Sequence, residues 1–238
     1  MPGCLVTRNP DSTVTKIGRQ VKFDERPALE LAAQYGLLVP CVYDAGSGPI
    51  NGEAFIRMEF IDGERLDLVR DKLNIEEKFS VFFQLRKILT TMRSIPSKTG
   101  QIASCSGGVV RDCRQFDEYT GGPFTDEATF NTSFYIDIIA GTPRVMHMSL
   151  SEQLRSDHCI VFSHGDLSQH NIMVKDGQIT GLLDWEYAGW YPKYWDHVKF
   201  FDRLCSHKDW KECVDVILPQ AYHQELVYHQ SILRWQRP

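Results

Sequence analysis

The run His164-Gly165-Asp166-Leu167-Ser168-Gln169-His170-Asn171, followed downstream by Asp184-Trp185-Glu186, holds the residue types of a phosphoryl-transfer site. One carboxylate, Asp166, can orient an attacking hydroxyl and accept its proton. The side-chain oxygen of Asn171 and the carboxylate of Asp184 can hold Mg²⁺ on phosphate oxygens, because a hard cation takes hard oxygen ligands. A bare His-x-Asp arises often by chance. The full set, with an Asn five positions after the Asp and a second Asp beyond, is far more specific. His164 reads as a loop-shaping residue, and Trp185 and Glu186 as packing and anchoring residues.

These groups need a scaffold that makes them converge. Ile172 to Lys175 and Gln178 to Leu183 are β-prone runs joined by Asp176-Gly177, a strong two-residue hairpin turn. Asp166 and Asn171 precede the first strand and Asp184 follows the second, so a hairpin brings all three to one end. Cys159 to Phe162 reads as a strand leading into the motif.

The first sixty or so residues read as five short strands and one helix. Cys4 to Thr7, Thr13 to Ile17, Gln20 to Phe23, Cys41 to Tyr43 and Ala54 to Phe60 are the strands. Asn9-Pro10-Asp11-Ser12 is a turn, Gly18-Arg19 a hairpin signal, and Ala28 to Tyr35 a helix stopped by Gly36. Phe60-Ile61-Asp62-Gly63 reads as a hinge. Beyond it the pattern turns helical. Asn74 can cap a long helix with Phe79, Phe82, Leu85, Leu89 and Met92 at helical spacing, ended by Pro96. Ser97 to Phe124 shows no clear period and reads as a long loop. Thr125 can cap a helix near Asp126 to Ile139, broken by Gly141-Thr142-Pro143. After Pro192 a helical pattern with many aromatics runs to the end. The expected class is α+β, with a β-rich lobe over residues 1–62 and a larger, mostly helical lobe over 63–238.

Composition narrows the partners. The chain has 238 residues, 42% of them hydrophobic, enough for a sizeable core. A net charge of -5 with scattered Lys and Arg argues against a nucleic-acid partner or a polybasic membrane patch. No apolar run approaches the ~18 residues of a membrane-spanning helix. Met1-Pro2-Gly3-Cys4 lacks a basic region followed by an apolar stretch, so the expectation from it is no signal peptide. Seven cysteines without a CxxC pair read as reduced thiols in the cytosol.

The motif segments, together with Ile172-Met173-Val174, Gly189-Trp190-Tyr191-Pro192 and Tyr194-Trp195-Asp196, resemble the aminoglycoside phosphotransferase / choline kinase family, and most of all its fungal branch. The resemblance implies a protein-kinase-like fold with two lobes, ATP and Mg²⁺ in the cleft, and a small hydroxylated molecule as phosphate acceptor. It implies roles by position. Lys22, in Gln20-Val21-Lys22-Phe23, matches the strand lysine on the α- and β-phosphates. Glu25 matches the helix glutamate that pairs with that lysine, with Glu30 as its rival. Met58-Glu59-Phe60-Ile61 matches the hinge, where the Glu59 C=O and the Ile61 N–H would bind adenine. Asp196 matches an aspartate that supports the catalytic loop.

Departures from the family pattern set the alternatives. There is no GxGxxG, Lys22 and Glu25 are only three residues apart, and Gln169-His170 stands where the family often has Pro and a basic or small residue. The short Lys22–Glu25 segment motivates a catalytically impaired, kinase-like binding module as the alternative. Gly165 in place of the Arg of His-Arg-Asp, and the absence of Ala-Pro-Glu after Asp184, argue against a protein kinase. Trp185, Tyr187, Trp190, Tyr191 and Trp195 could form a cage for a choline-like cation, but aromatics beside Gly189 and Pro192 read as core packing.

Overall fold

A computed structural model describes residues 4–48, 52–114, 117–202, 205 and 207–236. The expectation drawn from Met1 to Gly3 therefore lies outside the described residues.

The N-terminal lobe is a four-stranded antiparallel sheet with one helix. Its elements in chain order are β1 (Leu5–Arg8), β2 (Thr13–Gly18), α1 (Glu25–Gln34), β3 (Val42–Ser47) and β4 (Ala54–Glu59). The strand order is β1-β2-β4-β3. Gln20 to Phe23 is not a strand, so the sheet has four strands rather than five. The Val21 N–H donates to the Gly18 carbonyl and the Glu25 N–H to the Lys22 carbonyl, so the chain turns here and enters α1 at once. The β-prone character of this run comes from Val21, which is buried against Ile56 and Met58 as a loop residue.

The second lobe begins with β5 (Glu64–Arg65), α2 (Leu66–Val69) and α3 (Ile75–Arg93). Asn74 and Glu77 form a reciprocal capping box at the start of α3, which satisfies two orphan amides at once. Val81, Phe82, Leu85, Leu89 and Met92 face the core, whereas Phe79 is exposed. Next come β6 (Ala103–Ser104), β7 (Val110–Arg114), β8 (Asp117–Gly121), α4 (Glu127–Phe130) and α5 (Arg144–Gln153). The expected loop from Ser97 thus contains a hairpin, β7–β8. Its buried positions in β7 are Val110, Asp112 and Arg114, so charged residues occupy the inward face and erase the apolar alternation. Asp126, not Thr125, caps α4 by accepting from the Thr129 N–H. The helix widens into a π turn over Asn131–Tyr135 and stops at Ile136.

The last elements are β9 (Ile160–Ser163), β10 (Ile172–Lys175), β11 (Gln178–Leu182), β12 (Gly189–Pro192), α6 (Trp195–Asp202), α7 (Lys208–Glu212), α8 (Val214–Ile217) and α9 (His223–Trp235). The β10–β11 hairpin forms as expected. Asp176 and Gly177 have φ of 50° and 72°, the two positive values that a tight turn of this kind needs. β5 adds to β10 and ties the segment after the hinge to this hairpin. β12 pairs between β9 and β6. The main core joins α1, α3, β9, the hairpin and the α7–α8 region; a second cluster lies under α4, α6 and α9. Trp185, Trp190, Tyr191 and Trp195 are all buried in these cores, as packing residues. Among the described residues no helix is long and apolar enough to cross a membrane.

Candidate active site

A cleft of about 360 Å³ opens between the lobes. Val6, Val14 and Met58 from the N-terminal sheet and Met173 and Leu183 from the β10–β11 hairpin give it an apolar inner part, bordered by Glu59, Phe60 and Ile61. Lys16, Glu25, Asn171 and Asp184 form its polar end. Glu59 and Ile61, from the segment between β4 and β5, thus both line the cleft.

The lysine of this site is Lys16, not Lys22. Val14 and Lys16 are two apart on β2 and face the same way, so a strand that puts Val14 against the cleft puts Lys16 there too. Lys16 Nζ lies 2.9 Å from Glu25 Oε2, 2.7 Å from Asp184 Oδ1 and 3.3 Å from Glu186 Oε2. Lys22 sits past the end of β2 and pairs with Glu118 at 2.9 Å. The misassignment rested on the β-like run around Val21. The alternation of Val14 and Lys16 in the preceding strand was the signal that could have found Lys16. Glu25, rather than Glu30, is the partner, because Glu30 is exposed and pairs with Arg26. The Lys–Glu pair thus spans nine residues, and the ground for an impaired module disappears.

Glu25 also receives the Trp185 N–H on Oε1 at 3.3 Å, so one buried carboxylate links α1, β2 and the Asp-Trp-Glu segment. Burial pulls the Lys16 pKa down, but the three carboxylates outweigh it and hold the ammonium above its ordinary value. Burial raises the Glu25 carboxyl despite the opposing Lys16 charge. Burial and the adjacent Asp184 charge push Glu186 up to about 7. Oxygen atoms of Glu25, Asp184 and Glu186 lie within 4.8 Å of one another, so Glu186, expected only to anchor, belongs to the charged cluster itself.

The catalytic-loop candidate is built by short links. Asn171 Nδ2 donates to the Asp166 main-chain oxygen at 3.0 Å and approaches Asp166 Oδ2 at 3.4 Å. The Leu183 N–H donates to the Asn171 carbonyl at 2.8 Å, which sets the end of β11 and hence Asp184 beside the loop. Asp184 itself has φ of 62°, the left-handed region that turns its side chain out of the strand path. His164 is fully buried. Its Nδ1 accepts from the Asp166 N–H and its Nε2 donates to the Leu183 carbonyl, so it shapes the loop as expected. Burial lowers its pKa and keeps this neutral tautomer. The Gly165 N–H donates to Asp196 Oδ1 at 3.1 Å, the supporting contact. A Cβ on Gly165, at φ of 78°, would lie 2.6 Å from the Tyr187 carbonyl, so an Arg cannot stand there without moving that segment. Gln169 turns inward and accepts from the His207 ring at 2.9 Å, while His170 borders the cleft.

A small sheet-and-helix lobe over a mostly helical one, with a lysine–glutamate pair and a carboxylate loop meeting in the cleft, is the protein-kinase-like arrangement. Residues 6–222 match the model of the family described as "Phosphotransferase enzyme family", and the chain belongs to that family. Among curated relatives, an aminoglycoside 3'-phosphotransferase of Enterococcus faecalis is 30% identical, over 45% of this chain and 40% of its own length. One of Staphylococcus aureus is 29% identical over the same shares. The matched stretch thus spans less than half of either relative. Among solved structures, the apo form of a thermostable mutant of aminoglycoside phosphotransferase APH(4)-Ia has a TM-score of 0.65 at 14% identity, covering 97% of this chain and 84% of that one. The streptomycin–ATP complex of APH(2")-IIa has a TM-score of 0.59 at 17% identity, covering 97% and 75%. At such identities the likeness carries the fold.

Proposed function

We propose that the protein transfers the γ-phosphoryl group of ATP to a hydroxyl of a small molecule. The observation that carries this reading is the meeting of Lys16, Glu25, Asn171 and Asp184 at one end of an apolar cleft, with Asp166 held against Asn171. The adenine ring lies against Val14, Met58, Met173 and Leu183, with the Glu59 C=O and the Ile61 N–H at its edge. Lys16 takes the α- and β-phosphate oxygens and Glu25 keeps it there. The side-chain oxygen of Asn171 and the carboxylate of Asp184 are hard donors on one cleft wall and suit Mg²⁺. When bound, Mg²⁺ neutralises charge on the phosphate oxygens. Asp166 orients the acceptor hydroxyl and holds its proton as the oxygen attacks.

Solved structures of the same fold include a ternary complex with ADP and hygromycin B, which supports a nucleotide and a hydroxylated acceptor here. Trp185, Trp190, Tyr191 and Trp195 are buried as packing residues, so they do not form a cage for a quaternary ammonium. With this reading go a division at residues 62 and 63 into nucleotide-holding and acceptor-holding parts, no membrane or nucleic-acid partner, and a cytosolic location, where free thiols persist. ADP release with Mg²⁺-ATP and a panel of hydroxylated metabolites and aminoglycosides tests the proposal. Acceptor-dependent ADP release that Asp166→Ala abolishes supports it; release indifferent to Asp166→Ala overturns it.

A further inference from the structure

The β7–β8 hairpin reaches across from the second lobe to the segment that opens α1. Asp24 is the N-cap of α1, yet its side chain makes no bond to its own helix. An N-cap aspartate ordinarily accepts from an amide of the first turn. Here Oδ1 accepts from the Ser106 hydroxyl at 2.6 Å and Oδ2 from Arg111 Nη2 at 3.3 Å. Arg111 Nη1 donates to Glu118 Oε1 at 3.2 Å, and the same oxygen accepts from Lys22 Nζ at 2.9 Å. The charges alternate, Lys22–Glu118–Arg111–Asp24, with the outer two on the first lobe and the inner two on the hairpin. The side chains are 21–31% exposed, so the chain is partly screened from solvent. The hairpin is fastened below, where the Tyr191 hydroxyl donates to the Arg111 carbonyl at 2.9 Å.

Glu25 directly follows Asp24. We infer that Arg111 and Asp24 are positioning residues that fix the first turn of α1, and through Glu25 fix Lys16, from outside the cleft. The brace then joins the lobes at a place apart from the hinge and from the Lys16–Asp184 and Glu25–Trp185 contacts of the cleft. The brace is made of side chains that already carry their charge, so it needs no modification step. The brace also accounts for Lys22, whose charge serves the hairpin rather than a phosphate.

The catalytic part of this inference rests on the proposed phosphoryl transfer, so the test has a second readout. Hydrogen exchange of the α1 amides from Leu29 to Gln34, and kcat and KM for ATP and acceptor, are measured in Arg111→Met, Arg111→Lys and a control, Arg155→Met, which removes an exposed pair with Asp157. Arg111→Met is expected to speed α1 exchange and lower kcat by about fivefold each, with the acceptor KM unchanged. Arg111→Lys recovers part of both, and Arg155→Met changes neither. Unaltered α1 exchange in Arg111→Met overturns the brace. A native protein that turns over no acceptor overturns the phosphotransfer reading alone, because the exchange result still decides the brace.

Discussion

Among the described residues, the charge cluster of the cleft and one buried in the second lobe are built on opposite plans. In the second lobe Asp112 accepts from Arg114 Nε at 2.6 Å and pairs with Lys199 at 2.7 Å. Lys199 also pairs with Asp202, whose carboxylate accepts from His229 Nε2 at 2.8 Å; the Tyr135 hydroxyl and His229 Nδ1 are hydrogen-bonded at 2.9 Å. Two firm cations face two carboxylates, and Asp112 is 1% exposed. In the cleft one ammonium, Lys16, faces three carboxylates, and Asp184 is 34% exposed. A sealed, balanced set holds β7, α6, α9 and the π turn together and has no use for a ligand. An open set with fewer cations than carboxylates leaves a carboxylate, Asp184, facing the cleft, as the proposed function requires. Burial of charge alone therefore does not mark a site; imbalance next to a cavity does.

The sharpest way to break this contrast is to remove single members and ask which loses activity and which loses stability. The largest effect belongs to Asp166→Ala. Turnover should fall by about 10⁴-fold while ATP affinity, read by a thermal-shift titration, stays near the native value. In the balanced cluster, Lys199→Met leaves Asp112 and Asp202 buried beside too few cations. Urea unfolding should show a loss of about 3–5 kcal/mol. A loss under about 1 kcal/mol would mean that the network is ornamental to the fold. Next in size is the pair Lys16→Met and Lys22→Met. The first should lower kcat by about 10²-fold, as loss of one charged donor in a catalytic cleft does. The second should stay within about fivefold, the range of a part-exposed ion pair. The reverse order would return the phosphate-binding role to Lys22.

That last pair also shows what could be read from residue order. The catalytic-loop candidates lie beside a tight hairpin whose turn, Asp176-Gly177, announces itself by residue type. Local rules were enough to bring Asp166, Asn171 and Asp184 together. The capped helix α3 was legible for the same reason. Lys16 was not, because its role depends on which of two β-prone runs enters the sheet, and Val21 spends its β character in a loop. The β7–β8 hairpin was hidden by its inward charges, Asp112 and Arg114, whose partner Lys199 is on a distant helix. Glu186 joined the cluster only once Lys16 was in place. What escaped was decided by pairing across the chain, which no local window contains.

A further expected effect, on pH dependence, bears on the sign of the contrast. Burial alone would raise the Asp202 carboxyl, but His229 and then Lys199 outweigh it and bring it to about 2, below its ordinary 3.8. The cleft carboxyl Glu186 moves the other way, to about 7, because it has too little positive charge for its burial. For Asp202 the folded state releases its proton more readily than the unfolded chain. Between about pH 2 and pH 4 the unfolded chain binds more protons, so stability rises with pH across that window and falls on acidification. The contribution is about 2 kcal/mol, fully present above pH 4 and gone below pH 2. Asp202→Asn should therefore lower stability at neutral pH and flatten this part of the acid-unfolding curve, followed by urea titrations at stepped pH. If the variant keeps the native slope, the carboxyl is not held down by His229 and Lys199, and the second lobe's cluster is not the balanced set that separates it from the cleft.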